Sequence, residues 1–138
     1  MEGIGRRYGI SAAKCNVESC GVATPEQLIK ALKNADVFVL PSYIENSPNS
    51  LCEAQMLGLP CVATNVGGVA SLVKDGVNGI LVPANDPVMM ADAVMRICND
   101  ENMAIHLGEN VAEIASKRHA KRQIVQDAIE GYRCLRRN

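Results

Sequence analysis

The sequence predicts an α/β fold in which a parallel β-sheet is flanked by helices. Short apolar runs that suit strands alternate with longer segments in which apolar residues recur at helical spacing, and this alternation is typical of parallel sheets. The clearest strand is the unbroken apolar run at residues 37–40. Such a run suits a strand that is buried on both faces of the sheet. A second apolar run, Cys61-Val62-Ala63-Thr64, follows Pro60.

Composition narrows the class of protein. The chain has 138 residues, 48% of them hydrophobic, and this is enough for one domain with a core. The net charge of −1 gives no reason to expect nucleic acid as a partner. Trp is absent and aromatics are 3%, which disfavours modules that bind by aromatic stacking. The six cysteines, none in Cys-x-x-Cys spacing, are interpreted as free thiols of a cytoplasmic protein.

The first third of the chain contains three predicted elements before the central strand. Residues 1–9 look like the tail of a helix, and residues 16–20 are a short strand candidate. Thr24, Pro25 and Gln27 have the spacing of a helix start, with Thr24 as the N-cap and Gln27 completing a capping box.

Helices and strands continue to alternate after residue 40. Gly58 ends a helix, Asp75-Gly76 forms a turn, and Asp86 caps a further helix. Met89, Met90 and Met95 of that helix are interpreted as core or helix-packing residues. The predicted ranges are a helix at 51–57, a strand at 61–64, a helix at 69–74, a strand at 79–82 and later helices at 102–115 and 123–135.

A polar loop directly follows the strand at residues 37–40. Ligands of open α/β sheets bind at the carboxyl ends of the strands, so this loop is the first candidate site. Glu45 lies in the loop, and seven residues separate it from Glu53 on the next helix.

The order of several short motifs resembles the retaining glycosyltransferases of the GT-B fold, called group 1 or family 4. The motifs are Glu45 and Glu53-Ala54 with seven residues between the two acids, then Gly58-Leu59-Pro60, Gly67-Gly68 and Asp75 to Val82. The resemblance implies a Rossmann-like parallel sheet. It also implies that residues 1–138 are a partial C-terminal donor-binding domain, the truncated C-terminal half of a GT-B enzyme, with the N-terminal acceptor domain absent.

The resemblance assigns roles to the two acidic residues. Glu53 would accept hydrogen bonds from the ribose of a nucleotide sugar, because a carboxylate can take two donors at once. Glu45, the catalytic candidate, would contact the sugar and favour a positively charged transition state. From the residues alone, Ser50 and Glu53 favour a Ser-x-x-Glu capping box. Glu45 is then a solvated loop acid.

Backbone groups complete the expected donor site. Amides at a helix start would bind the diphosphate, so that neither metal nor cofactor is required; ordinary capping is the alternative. Gly67 and Gly68 would allow close approach to the ligand or simply form a tight turn, and Val22 would touch the base or be a core valine. The family continues the two glycines with Pro-Glu, where this chain has Ala70 and Ser71. The residues of the predicted diphosphate site are Ser47, Asn49, Ser50 and Leu51.

The predicted function is transfer of a sugar, with retention of configuration, from a nucleotide-diphosphate sugar to a glycan or lipid-linked acceptor. A nucleotide-sugar epimerase and a non-catalytic nucleotide-binding or oligomerising remnant are the alternatives. We expect the chain alone to be inactive, since the family's basic residues that grip the diphosphate precede the matched region. We also expect self-association through the edge at residues 37–40, because the resembled fold has two further strands between this strand and the one at 16–20. The alternative is that the strand at 16–20 pairs with residues 37–40 within one chain. The full-length enzyme is expected in the cytoplasm, peripheral to the inner membrane face.

Overall fold

The computed structural model describes residues 21–135, and within them it contains six helices and three strands. Their alternation confirms the predicted α/β class. The predicted helix tail at 1–9 and strand at 16–20 lie outside the described residues. The elements in chain order are α1 Pro25–Lys33, β1 Phe38–Leu40, α2 Asn49–Met56, β2 Cys61–Thr64, α3 Val69–Leu72, β3 Ile80–Val82, α4 Pro87–Asn99, α5 Glu101–Arg118 and α6 Lys121–Leu135.

The described sheet is parallel, in the order β1-β2-β3, so β2 is its central strand. All four residues of β2 are buried. Successive side chains of a strand point to opposite faces. Cys61 and Ala63 therefore pack with Leu51 of α2 on one face, while Val62 packs with Ile97 of α4 on the other. The core is two layers, one on each side of β2.

Strand β1 lies at the edge of the described sheet. The amide of Phe38 donates to the Pro60 carbonyl at 2.8 Å, so the neighbouring Val39 turns its backbone groups away from β2. Val39 is 38% exposed, and Phe38 and Leu40 are only half-buried. The prediction of a strand buried on both faces is therefore wrong for β1. Phe38 and Leu40 pack towards α2, but α4 on the other face packs mainly on β2 and β3 and leaves Val39 partly exposed.

The predicted caps of α1 and α4 are confirmed. Thr24 accepts a hydrogen bond from the Gln27 amide, and the Gln27 side chain accepts one from the Thr24 amide, which together form the capping box. Asp86 accepts from the Met89 amide at the start of α4. Asp100 has the same role for α5.

Helix α4 buries a different face from the one predicted. Its buried residues are Met90, Ala93 and Ile97, at the i, i+3 and i+7 spacing of one helix face. Met89 and Met95 lie off this face and are exposed by 49% and 55%. Their interpretation as core residues is wrong, whereas Met90 is confirmed as a core residue.

Helix α6 packs differently from the other helices. Every side chain that is described in it, residues 121–133, is exposed, although several are apolar. The exposed apolar side chains of α6 are Ile124, Val125, Ile129 and Tyr132.

No helix of residues 21–135 combines the length and the hydropathy needed to cross a membrane.

Candidate functional site

The loop that follows β1 holds Glu45 at the carboxyl edge of the sheet. The hydroxyl of Ser42 donates to Oε1 of Glu45 at 2.7 Å, and the Glu45 side chain is half-buried. The hydroxyl of Thr64, the last residue of β2, donates to the Ser42 carbonyl. Strand β2 thus orients Oε1 of Glu45 through Thr64 and Ser42. The other carboxylate oxygen of Glu45 makes no hydrogen bond within residues 21–135.

Gly67 and Gly68 bring a second loop into contact with this one. A Cβ atom on Gly67 would lie 1.8 Å from the Glu45 carbonyl oxygen, and one on Gly68 would lie 1.7 Å from that of Asn46. The Gly68 amide donates to the Glu45 carbonyl at 3.2 Å. Only glycine fits here, because two backbones meet without room for a side chain. The close approach seen is to the 45–46 loop; contact of these glycines with a ligand stays a prediction.

Helix α2 begins with amides that have no partner in the helix. Its N-cap is Pro48, which makes no side-chain cap, and the first helical hydrogen bond runs from the Cys52 amide to the Pro48 carbonyl. The amides of Asn49, Ser50 and Leu51 precede that bond. Leu51 is fully buried, so it can offer a ligand only its backbone. These three amides are available as donors, and their role in binding a diphosphate stays a prediction.

Glu53 is an exposed side chain on the second turn of α2. The alternative capping box with Ser50 is wrong, because the helix already begins at Asn49 and Ser50 lies inside it. Pro48 has the extended backbone of an N-cap residue, with φ −72° and ψ 108°, and it sets the helix start. The carboxylate of Glu53 is therefore not engaged in capping.

The remaining predicted site residues lie at or near the surface. Ser47 and Asn49 are exposed, and Ser50 is half-buried. Val22 is fully exposed, so its interpretation as a core valine is wrong; its contact with a base is untested. Within residues 21–135, no three His, Cys, Asp or Glu side chains are grouped closely enough to hold a metal ion.

Sequence reasoning missed a buried polar cluster behind the two loops. Gln55 of α2 is fully buried and donates through Nε2 to the Leu72 carbonyl at 3.0 Å. Arg118 donates to the same carbonyl at 3.3 Å and to Oε1 of Gln55. The signal was a glutamine in an apolar stripe, one turn after Leu51.

An apolar groove of about 910 Å³ was also missed. It borders α4 on the face of the sheet opposite to α2. Tyr43, after β1, donates a hydrogen bond from its hydroxyl to Oδ1 of Asn85 at 3.3 Å across the groove mouth. The groove therefore opens at the carboxyl end of the sheet, beside the residues that follow β1. Its apolar lining includes Pro41, Pro87, Met90, Ala91, Val94 and Met95.

Comparison with known proteins supports the resemblance stated from the sequence. Residues 12–114 match the model of the family described as glycosyl transferases group 1. The chain is 38% identical over 112 residues to the D-inositol 3-phosphate glycosyltransferase of Corynebacterium kroppenstedtii, covering 76% of this chain and 25% of the relative.

Two solved structures extend the comparison to the fold. The sucrose-phosphate synthase of Thermosynechococcus elongatus superposes with a TM-score of 0.82 at 31% identity, over 97% of this chain and 33% of the other. Anabaena HepE in complex with UDP superposes at 0.70 and 26% identity, over 76% and 29%. The chain thus spans about a quarter to a third of these proteins. It belongs to the group 1 glycosyltransferases and has the α/β domain architecture of their GT-B fold.

Proposed function

We propose that this chain is the donor-binding part of an enzyme that transfers a sugar, with retention, from a nucleotide-diphosphate sugar to an acceptor. The observation that carries the proposal is the start of α2, where three amides without helical partners lie between Glu45 and Glu53. A structure of a similar protein, HepE, holds UDP. An acceptor-binding domain would come from outside this chain, which spans about a quarter to a third of the relatives compared above.

Each end of the donor has a partner of suitable chemistry in this arrangement. The amides of Asn49, Ser50 and Leu51 receive the diphosphate, assisted by the partial charge of ~+0.5 at a helix start. Glu53 is exposed on the next turn and accepts from the ribose hydroxyls. Val22, exposed at the start of the described chain, offers its backbone to the base.

The sugar would lie against Glu45. Ser42 orients one of its carboxylate oxygens, and the Gly68 amide holds its backbone carbonyl, so the side chain is placed by two separate elements. The second oxygen is left for the hydroxyls of the sugar. A negative charge beside the reacting carbon favours the oxocarbenium-like transition state of sugar transfer. The helix amides receive the leaving diphosphate, and this proposal involves no metal.

Calorimetry with UDP tests the assignment of Glu53. Glu53→Gln keeps the shape of the side chain and removes its charge, and capping is not affected because Glu53 is not in a capping box. We expect the affinity for UDP to weaken by about 1–2 kcal/mol. Glu109→Gln makes the same change at an exposed position of α5 and is the matched control. Equal UDP affinity of wild type and Glu53→Gln would refute the ribose assignment, and no binding by wild type would refute donor binding by this chain.

Product analysis separates sugar transfer from its alternatives. Transfer to an added glycan or lipid-linked acceptor, by this chain joined to the acceptor domain of a relative, supports the transferase. A changed sugar on the nucleotide without an acceptor supports the epimerase. Binding without any product supports a non-catalytic remnant. The free thiols of Cys52, Cys61 and Cys98 agree with the proposed cytoplasmic location, at the inner membrane face for a lipid-linked acceptor.

The proposal includes self-association of this chain. Among residues 21–135, the backbone groups of Val39 face no partner strand, and its side chain is partly exposed at the edge of the described sheet. Exposed hydrophobic strand edges recruit another strand. A second copy of the chain is the partner proposed here.

A further inference from the structure

The carbonyl oxygen of Leu72 is the meeting point of three side chains from different parts of the chain. Gln55 of α2 donates to it at 3.0 Å, Asn78 of the segment before β3 at 3.0 Å, and Arg118 at the end of α5 at 3.3 Å. Gln55 and Asn78 are buried, with 0% and 2% exposure. Arg118 also donates to Gln55, so its two terminal nitrogens bridge α2 and α3.

Leu72 is the last residue of α3, and α3 is a single turn. Isolated helices of this length have no stability of their own, so contacts at the ends decide where such a turn lies. Gly68 is the N-cap of α3, and its amide bonds to the Glu45 carbonyl. Four residues of helix span only about 6 Å. A shift of Leu72 at one end of α3 therefore moves Gly68 at the other end by a similar distance.

We propose that Arg118 and Gln55 are positioning residues that set the distance between the Gly67–Gly68 loop and the start of α2. The part played in donor binding rests on the proposed function. Arg118 forms no salt bridge with a carboxylate of residues 21–135, whereas its neighbour Lys117 pairs with Glu113. A planar guanidinium offers two parallel donors in a fixed fork, which an ammonium group cannot reproduce. The guanidinium of Arg118 donates to the Leu72 carbonyl oxygen on α3 and to Oε1 of Gln55 on α2.

Arg118 differs from its neighbours on the surface in how far its side chain is buried. Arg118 is half-buried, while Lys117 and His119 beside it are exposed. The guanidinium reaches inward over 63 positions of sequence to Gln55 and over 46 to Leu72. Its hydrogen bonds therefore connect the end of α5 to both α2 and α3.

Residue-resolved amide hydrogen exchange of the full chain tests this inference without any ligand. In Arg118→Ala we expect exchange at Gly68 to accelerate about tenfold or more, because the loop opens locally. Ala63, in the buried centre of β2, should change by less than about twofold, since global unfolding is not the cause. Arg118→Lys keeps one donor and is expected to fall in between. Lys117→Ala removes an exposed ion pair on the same turn and is the matched control.

Three results would overturn the proposal. Unchanged exchange at Gly68 in Arg118→Ala would show that the cluster does not hold the loop. An equal acceleration at Gly68 and Ala63 would show a purely structural role in global stability. Gln55→Glu, which keeps an acceptor for Arg118 but loses the donor to Leu72, must also accelerate exchange at Gly68, and failure to do so would remove Gln55 from the cluster.

UDP calorimetry on the same variants links the cluster to the proposed site. We expect Arg118→Ala to bind UDP about threefold or more weakly than wild type, with partial rescue in Arg118→Lys. Faster exchange at Gly68 with unchanged UDP affinity would overturn the positioning role for donor binding. If wild type binds no UDP, the proposed function fails, and the exchange data still decide whether Arg118 and Gln55 hold the loop.

Discussion

Replacing Gly68 by alanine is expected to separate the two loops that form the candidate site. The new Cβ would lie 1.7 Å from the Asn46 carbonyl oxygen, so one backbone must retreat by more than about 1 Å to reach a normal contact distance. Overpacking of this kind costs about 1–3 kcal/mol. The Gly68–Glu45 hydrogen bond, at 3.2 Å, would be lost as well and adds about 0.5–1.5 kcal/mol. We therefore expect Gly68→Ala to lower the free energy of unfolding by about 1.5–4.5 kcal/mol.

Other glycines of the chain separate the steric clash from backbone strain. Gly76 has a φ of +71° and no atom near its added Cβ, so Gly76→Ala should cost only the left-handed strain, about 1–2 kcal/mol. Gly67 combines a φ of +48° with a clash at 1.8 Å and should be the most costly. Gly131, in α6, has neither problem, and alanine there should leave stability unchanged or raise it by up to about 1 kcal/mol.

Urea denaturation of the four variants gives the stabilities, and UDP calorimetry on the folded proteins reports the site. We expect Gly68→Ala and Gly67→Ala to lose UDP affinity, whereas Gly76→Ala and Gly131→Ala should keep it. A Gly68→Ala protein as stable as Gly131→Ala would refute the close contact with Asn46. A destabilised Gly68→Ala protein with wild-type UDP affinity would show that the contact shapes the fold and not the donor site.

Three further predictions concern ionisation, assembly and activity. Burial raises the pKa of the Cys61 thiol from 9.0 to about 12, so the unfolded thiol ionises first and stability falls as pH rises from 9 towards 12; urea titrations should show this loss, and Cys61→Ala should remove it. Light scattering over a tenfold dilution should show dimers of the wild-type chain. Val39→Lys, at the edge of the described sheet, should convert these dimers to monomers. A wild-type chain that stays monomeric throughout would show that this edge is covered within the chain. The purified chain should transfer no sugar from UDP-glucose to an acceptor, and robust transfer would contradict the need for a second domain.

The local features of the fold could be predicted because their causes lie within a few residues. Thr24 and Asp86 were predicted as caps from the residues that follow them, and both make the expected hydrogen bonds. Gly58, expected to end a helix, has the positive φ of +74° that a residue following a helix often needs. Membership of the family could also be predicted from the sequence, because it depends on the order of short motifs. The match to residues 12–114 confirms it.

Local sequence patterns gave wrong predictions where a second pattern of the same kind lies within one helical turn. Ser50 and Glu53 have capping-box spacing, yet Pro48 begins the helix two residues earlier and leaves Glu53 uncommitted. Met89 and Met95 have helical spacing with apolar neighbours, but a helix can bury only one face, and the sheet selected the face of Met90. Spacing alone cannot choose between two faces that are both apolar.

The sequence by itself determined the α/β class, the positions of most helices and strands, the family, and Glu45 and Glu53 as the acids to consider. Only the tertiary structure decided that β1 is the open edge among the described strands, that Gly67 and Gly68 face the 45–46 loop, and that Arg118 meets Gln55 at Leu72. Caps and turns depend on neighbours along the chain, which the sequence displays directly. Edges, close backbone contacts and buried polar clusters depend on which distant segments meet, and packing of the whole chain decides that.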